Sequence, residues 1–294
     1  MVNLPHDIVV QTEDLALFED FRHPSVSLYP TSEILPKAVE RARLLARRRQ
    51  RKAGRRGTKL LGSISRRIGW PRWPGYTGWH TQQVCKLAYV AASASTPIVV
   101  MDSDLVVTDH ARLEDFLTPH GTVCFSRWQQ RSSLTGKVRN WQIAAHRLFE
   151  TAMADTESFD CYFDTPFVMH APAVRNMQQW LEAHYSKPWW NILLSQPPRG
   201  WSEFCTYKTF LRNVTNQDVD WRSTDKFGYL FDAGEPKRLL RQFVQLANIE
   251  KRHYITIHSQ SAGRQLWAAE PYVDLVRSYL FRNRERIQYG SRWD

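Results

Sequence analysis

Cysteine is scarce in this chain and its spacing excludes several classes of protein. The four residues, Cys85, Cys124, Cys161 and Cys205, form no CxxC pair and no zinc-type pattern. That rules out a disulfide framework or a zinc ribbon and suits buried thiols in a reducing compartment. Long apolar runs are also missing: no stretch approaches the roughly 18 residues needed to span a bilayer. The start, MVNLPHDIVVQTED, lacks the basic-then-apolar pattern of a secretory signal. No internal repeat and no nucleic-acid motif is visible. A soluble, cytoplasmic protein is the expectation, with peripheral contact at the inner face of a membrane left open.

The chain does have the means to build a core. Of its 294 residues, 43% are hydrophobic and 13% aromatic, enough for a single large α/β domain over 1–294. Twelve Trp is a high count, and Trp with one wet edge suits sugar and nucleotide sites, although most Trp simply packs. The net charge of +11 is concentrated. Residues 37–72 hold fourteen Lys or Arg against one acid, Glu40, and the remainder is near neutral. The heart of this segment is RARLLARRRQRKAGRRGTK, residues 41–59. Two readings stand level: a solvated, mobile insertion, and a patch for an anionic membrane. Leu44, Leu45, Leu60, Leu61 and Ile64 add the apolar character of an interfacial helix, and nucleic acid ranks below both.

Patterning predicts alternating strands and helices. HDIVV (6–10) and SVSLYP (25–30) read as strands, separated by a helical TEDLALFEDF starting near Thr12. Thr31 or Ser32 is placed to cap the helix that carries the basic run. HTQQVCKLAYVAAS (80–93) has helical apolar spacing, and PIVVM reads as a central parallel strand buried on both faces. Further strands are expected at 121–126, 162–170 and 253–259, with helices around 141–154, 172–185, 202–214 and 272–287. The fold class is α/β, with a mostly parallel central sheet flanked by helices.

The stretch TPIVVMDSDLVV places Asp102 and Asp104 at the end of a strand. Ligands of α/β sheets bind outside the carboxyl ends of strands. Paired carboxylates there suit Mn²⁺ or Mg²⁺, which keep waters and take further oxygens from a bound diphosphate. Asp104 would be the direct ligand, and Asp102 would bind through water or hold a ribose. The competing reading is a surface turn with two solvated carboxylates, which the flanking apolar runs disfavour.

The segment GYTGWHTQQVCKLAYVAASASTPIVVMDSDLVV resembles the donor-site region of bacterial GT-A-type glycosyltransferases of the DUF6492 kind. DTPFVMHAPAVRNMQQWLEAHYSKPWWNILL and GWSEFCTYKTFL resemble later parts of the same family, in the same order. The resemblance implies a GT-A-like, Rossmann-like fold. Only MVNLP precedes HDIVV, so the usual first strand of that fold would be lacking. It also implies a nucleotide-sugar donor and a glycan or glycolipid acceptor, in surface-polysaccharide assembly. For an inverting transfer a base must take the acceptor proton. Glu203, at a helix start that would favour its ionised form, is the first choice, and Asp164 the reserve. His258 would complete the metal site, with His253 as an equal rival. Asp102, Ser103, Asp104, Lys86, Gln83 and Trp79 would face the donor. A solvated Lys86 is slightly favoured over a phosphate-binding one. Trp79 and Trp201 would stack on a sugar face or pack in the core.

Two other functions compete. VVMDSDLVV loosely matches a haloacid-dehalogenase-type phosphohydrolase with Asp102 as nucleophile, but no Gly-Asp or Asp-Asp partner follows. The basic segment also fits a catalytically inactive, anionic-surface-binding relative of the transferases.

Overall fold

The structure, a computed structural model, describes residues 4–67, 78–119, 121–153, 158–197, 200–230, 236–257 and 276–277. Most of the expected C-terminal helix at 272–287 therefore lies outside the described residues. Strands His6–Val10 (β1) and Val26–Pro30 (β2) pair in parallel, His6 opposite Val26. The helix expected between them is a 3-10 helix, Thr12–Phe21. A four-residue helix, Thr31–Ile34 (α1), precedes Pro36, and the basic helix Lys37–Arg67 (α2) follows. Proline disfavours helical backbone in the residue before it, which separates the two. The axis of α2 breaks at Gly54, whose φ of 62° suits glycine and few other residues.

The root of the basic segment is docked rather than solvated. Arg43 is 3% exposed. It donates to Glu40 through Nε and a terminal nitrogen, both at 2.7 Å, and to the two oxygens of Glu13 at 2.8 and 2.6 Å. Arg47 pairs with Glu13 at 2.7 Å and Asp14 at 3.0 Å. Thr31, expected as a cap, instead accepts from the Thr12 amide at 3.2 Å and donates to Glu40 at 3.3 Å. Arg43 departs from the solvated-insertion expectation because it lies on the helix face that also buries Val39 and Ala46, while Lys37, Arg41 and Arg48 are exposed.

Beyond α2 come helix Trp79–Ala92 (α3) and two short strands, Ile98–Val100 (β3) and Leu105–Val107 (β4). Strands Thr122–Ser126 (β5) and Trp128–Gln130 (β6), helix Gly136–Leu148 (α4), and strands Ser158–Asp160 (β7) and Phe167–Met169 (β8) follow. Next are helices Ala171–Tyr185 (α5), Trp189–Leu194 (α6) and Glu203–Asn213 (α7). Strands Val219–Ser223 (β9) and Phe227–Leu230 (β10), helix Pro236–Val244 (α8) and strand Tyr254–Ile257 (β11) complete the described order.

This is a mixed α/β structure built from short ladders. Pairs β1–β2, β5–β9 and β10–β11 are parallel, while β3–β8, β4–β11 and β6–β7 are antiparallel. The expected mostly parallel sheet is thus half antiparallel among the described residues. Strand β3, read as a central parallel strand, runs antiparallel to β8 with Val99 opposite Val168. Its residues are half-buried and Met101 is 43% exposed, so the expected burial on both faces also fails; an apolar run carries no information on strand direction. The close approach of β5 and β9 begins at Gly121, where an added Cβ would meet the Asp218 carbonyl oxygen at 2.2 Å.

The core centres on α7, which packs against α3, α4 and α5. Every residue from Glu203 to Leu211 is buried. Ser202 caps the helix as expected, accepting from the Cys205 amide at 3.5 Å. On the same helix the Lys208 ammonium donates to the Asp160 carboxylate, the Phe125 carbonyl and, at 2.8 Å, the Tyr162 carbonyl. The other Asp160 oxygen accepts the Arg127 and Tyr162 amides, each at 2.9 Å. All four cysteines are free, and burial pushes the Cys85 and Cys124 thiols up to about 12. No described helix is long and apolar enough to cross a membrane.

Two outcomes follow from these ion pairs. Lys208→Met leaves Asp160 buried without its cation and should lower unfolding free energy by ~3–5 kcal/mol, read from urea midpoints. Adding Asp160→Asn should restore part of it. The Arg43 hydrogen bond holds Glu13 at about 2, below its ordinary 4.5. That stabilisation is present above pH 4.5 and lost as pH falls toward 2. Arg43→Met should therefore flatten the acid limb of a stability profile taken between pH 5 and pH 2.

Candidate functional site

The turn between β3 and β4 carries Asp102, Ser103 and Asp104, and two helix N-termini meet near it. Helix α3 presents Gln82, Gln83 and Lys86 on successive faces of one turn, and α7 begins at Glu203. Lys86 joins the parts. Its Nζ lies 2.9 Å from Asp102 Oδ1 and 3.3 Å from Glu203 Oε1. The Phe204 ring lies beneath it, 4.6 Å from centroid to ammonium, and stacks in turn on Phe167. Lys86, expected as a solvated lysine, is instead mostly buried. A lysine that alternates with apolar residues on a helix shows no sequence mark of burial; only the two carboxylates make its burial tolerable.

The neighbours of this pair fix its geometry. Gln82 Nε2 donates to Asp102 Oδ1 at 3.3 Å. Gln83 Oε1 accepts the Glu203 amide at 3.0 Å, so α3 satisfies an orphan donor at the start of α7. Gln83 Nε2 is buried without a partner among the described residues. The Asp102 amide donates to Thr165 Oγ1 at 3.3 Å, and the Thr165 amide donates to Asp164 Oδ1 at 2.8 Å. Asp164, half-buried, is thereby tied to the same turn.

Glu203 is 4% exposed. Burial pushes its carboxyl above the ordinary range, against the pull of Lys86. The expectation that the helix N-terminus would favour its ionised form is corrected here: desolvation outweighs the dipole. For Lys86 burial acts downward, yet the Glu203 and Asp102 carboxylates prevail and hold the ammonium above its usual value.

Aromatic side chains cluster beside the helix starts. Trp79 stacks on Trp141 with centroids 5.9 Å apart, and lies 6.5 Å from Trp201. His80 stacks on Trp201 at 6.1 Å, and Trp141 meets Phe163 edge-on. Trp201 is buried, in line with packing, whereas Trp79, Trp141 and Phe163 are half-buried. The sequence reading missed Trp141, Phe163, Thr165 and Phe204. Phe204 was legible as the third residue of Ser-Glu-Phe; Thr165 left no signal.

The two histidine candidates separate. His253 Nδ1 contacts Asp115 at 2.6 Å, in a cluster with Lys226 and the Tyr254 hydroxyl. It lies at the start of β11, roughly 13 Å along the strand from Ile257, so the rival reading of His253 as a metal ligand fails. The Ile257 amide donates to the Asp104 carbonyl at 2.8 Å, which brings the other end of β11 to the acidic turn. His258 is next in sequence and lies outside the described residues.

Asp102 and Asp104 offer the hard oxygen donors that Mg²⁺ or Mn²⁺ prefers. One Asp102 oxygen is engaged by Lys86 and Gln82. No group of three or more His, Cys, Asp or Glu gathers to hold a metal among the described residues. The donor set fits a cation that keeps several waters and shares oxygens of a substrate, rather than one caged by protein. A cleft of about 570 Å³ between α1, α3 and α5 touches none of these residues.

Lys86→Met should leave Glu203 buried beside Asp102 without a cation. A loss of ~3–5 kcal/mol is expected at pH 7.5 in urea unfolding. With Lys86 gone the Glu203 carboxyl rises further, so the loss should shrink as pH falls toward 4.5, where the group is protonated. Adding Glu203→Gln should recover most of it.

No curated protein and no solved structure matches this chain. A family model described as a family of unknown function, DUF6492, matches residues 5–227. That span covers most of the chain, the site turn and α7 included, and the chain belongs to the DUF6492 family.

Proposed function

We propose that the protein is a metal-dependent glycosyltransferase that moves a sugar from a nucleotide-diphosphate donor to a hydroxyl of a glycan or glycolipid. The observation that carries this reading is Lys86, held between Asp102 at a strand end and Glu203 at a helix start. It puts a positive charge beside a carboxylate turn, which is what a diphosphate with its cation needs. The resemblance of the Gly-Trp to Asp-Ser-Asp block to GT-A enzymes adds a reason of a different kind.

Each residue then has a task. Asp102 and Asp104 would hold Mn²⁺ or Mg²⁺, which as a Lewis acid stabilises the charge gained by a diphosphate leaving group. Lys86 faces the same oxygens, and Glu203 with Phe204 fixes its position. Gln83, which accepts the Glu203 amide, fixes the start of α7 beside Lys86. Trp79 and Trp141 offer half-buried ring faces for a pyranose. The acceptor proton goes to Asp164, which is half-buried, rather than to Glu203, which is enclosed by Lys86, Ser202 and Gln83. A base on one face with the leaving group on the other gives inversion.

Transfer and donor hydrolysis measured with and without Mn²⁺ test the reading. Asp164→Asn should lose ~100-fold or more in transfer while the donor-induced thermal shift persists. Glu203→Gln should weaken the shift itself, because Lys86 loses its anchor. Full activity in Asp104→Ala would remove the cation from the mechanism.

A further inference from the structure

The outward face of α2 is a separate feature, independent of the transferase reading. Its inward face is spent on the core: Val39, Glu40, Arg43 and Ala46 are buried. Lys37, Arg41, Leu45, Arg48 and Lys52 are all exposed. At about 100° per residue these five fall within an arc of about 80°, along about 22 Å of helix. The single acid in this stretch, Glu40, points inward and is consumed by Arg43. The stripe is thus cationic with no internal counter-charge on its own helix. Side chains beyond Lys52 lie almost entirely outside the described residues.

An apolar group accompanies the charge. Leu45 sits within the stripe at 46% exposure. A phosphate backbone offers nothing to such a side chain, whereas a bilayer offers headgroup charge and an acyl boundary together. We propose that this face docks the protein on an anionic lipid surface, with Lys37, Arg41, Arg48 and Lys52 against headgroup phosphates and Leu45 entering the boundary. Glu13, Asp14 and Glu40, the acids bound to this helix, are all paired with Arg43 or Arg47.

Co-sedimentation of the full chain with phosphatidylcholine vesicles, with and without phosphatidylglycerol, tests this. Binding should rise at least tenfold with the anionic lipid and fall in 0.5 M salt, where screening is short-ranged. Each basic residue near such a surface contributes about fivefold. Arg41→Glu/Arg48→Glu/Lys52→Glu should therefore lower partitioning by ~100-fold or more at unchanged melting temperature, since all three side chains are exposed. Leu45→Ser should lower it severalfold with the charge intact. Equal binding to neutral vesicles, retention by the triple variant, or tighter binding to duplex DNA or RNA than to vesicles at equal phosphate concentration would each overturn the proposal. Donor binding and transfer are read separately and bear only on the transferase reading.

Discussion

The Lys208 ammonium is the constraint on which the structure turns. A lysine sealed inside a domain is tolerable only if every proton it carries finds an acceptor. Here the acceptors come from three places: the Phe125 carbonyl on β5, the Asp160 carboxylate on β7, and the Tyr162 carbonyl beyond it. Asp160 in turn accepts the Arg127 and Tyr162 amides. Helix α7 is thereby fixed against two strands at one point, and its apolar residues pack around that point. Because Glu203 lies five residues earlier on the same helix, the position of the candidate site is set by the same network.

A second buried lysine repeats the logic at the edge. Lys86 neutralises two carboxylates from different parts of the chain, and those carboxylates hold its charge. Neither member is stable alone in its surroundings. The arrangement differs from the interior clamp in one respect: Asp102 reaches the half-exposed turn, so the charge balance at Lys86 is open to change by a ligand, whereas that at Lys208 is closed. The two buried ammonium groups are distinguished by solvent access.

Local elements were legible from local patterns. Strands β1 and β2, helices α3 and α5, and the Ser202 cap of α7 follow from alternation, helical spacing and capping chemistry, which act within a few residues. The family was legible too, from the Asp-Ser-Asp and Ser-Glu-Phe blocks. What was not legible depends on distant partners. Lys208 and Asp160 are separated by 48 residues, and Arg43 and Glu13 by 30, so no window of sequence could show that these charges are paired. The same holds for Lys86, which looks like any surface lysine until Asp102 and Glu203 arrive. Helix α6, WWNILL, is not legible because a short run of five apolar residues and one Asn fits a strand or a helix equally well. The antiparallel setting of β3 was hidden because direction is decided by the path of the chain.

The twin grip of Arg43 and Arg47 on Glu13 and Asp14 has a consequence for helical phase. Two guanidinium forks one turn apart prevent α2 from rolling about its own axis. Side chains from Arg48 to Lys52, before the break at Gly54, are therefore indexed to the body of the protein like teeth on a keyed shaft. One residue inserted just after Arg47 would leave the key in place and swing the outer teeth by about 100°, while a seven-residue insertion would return them nearly to their original bearing.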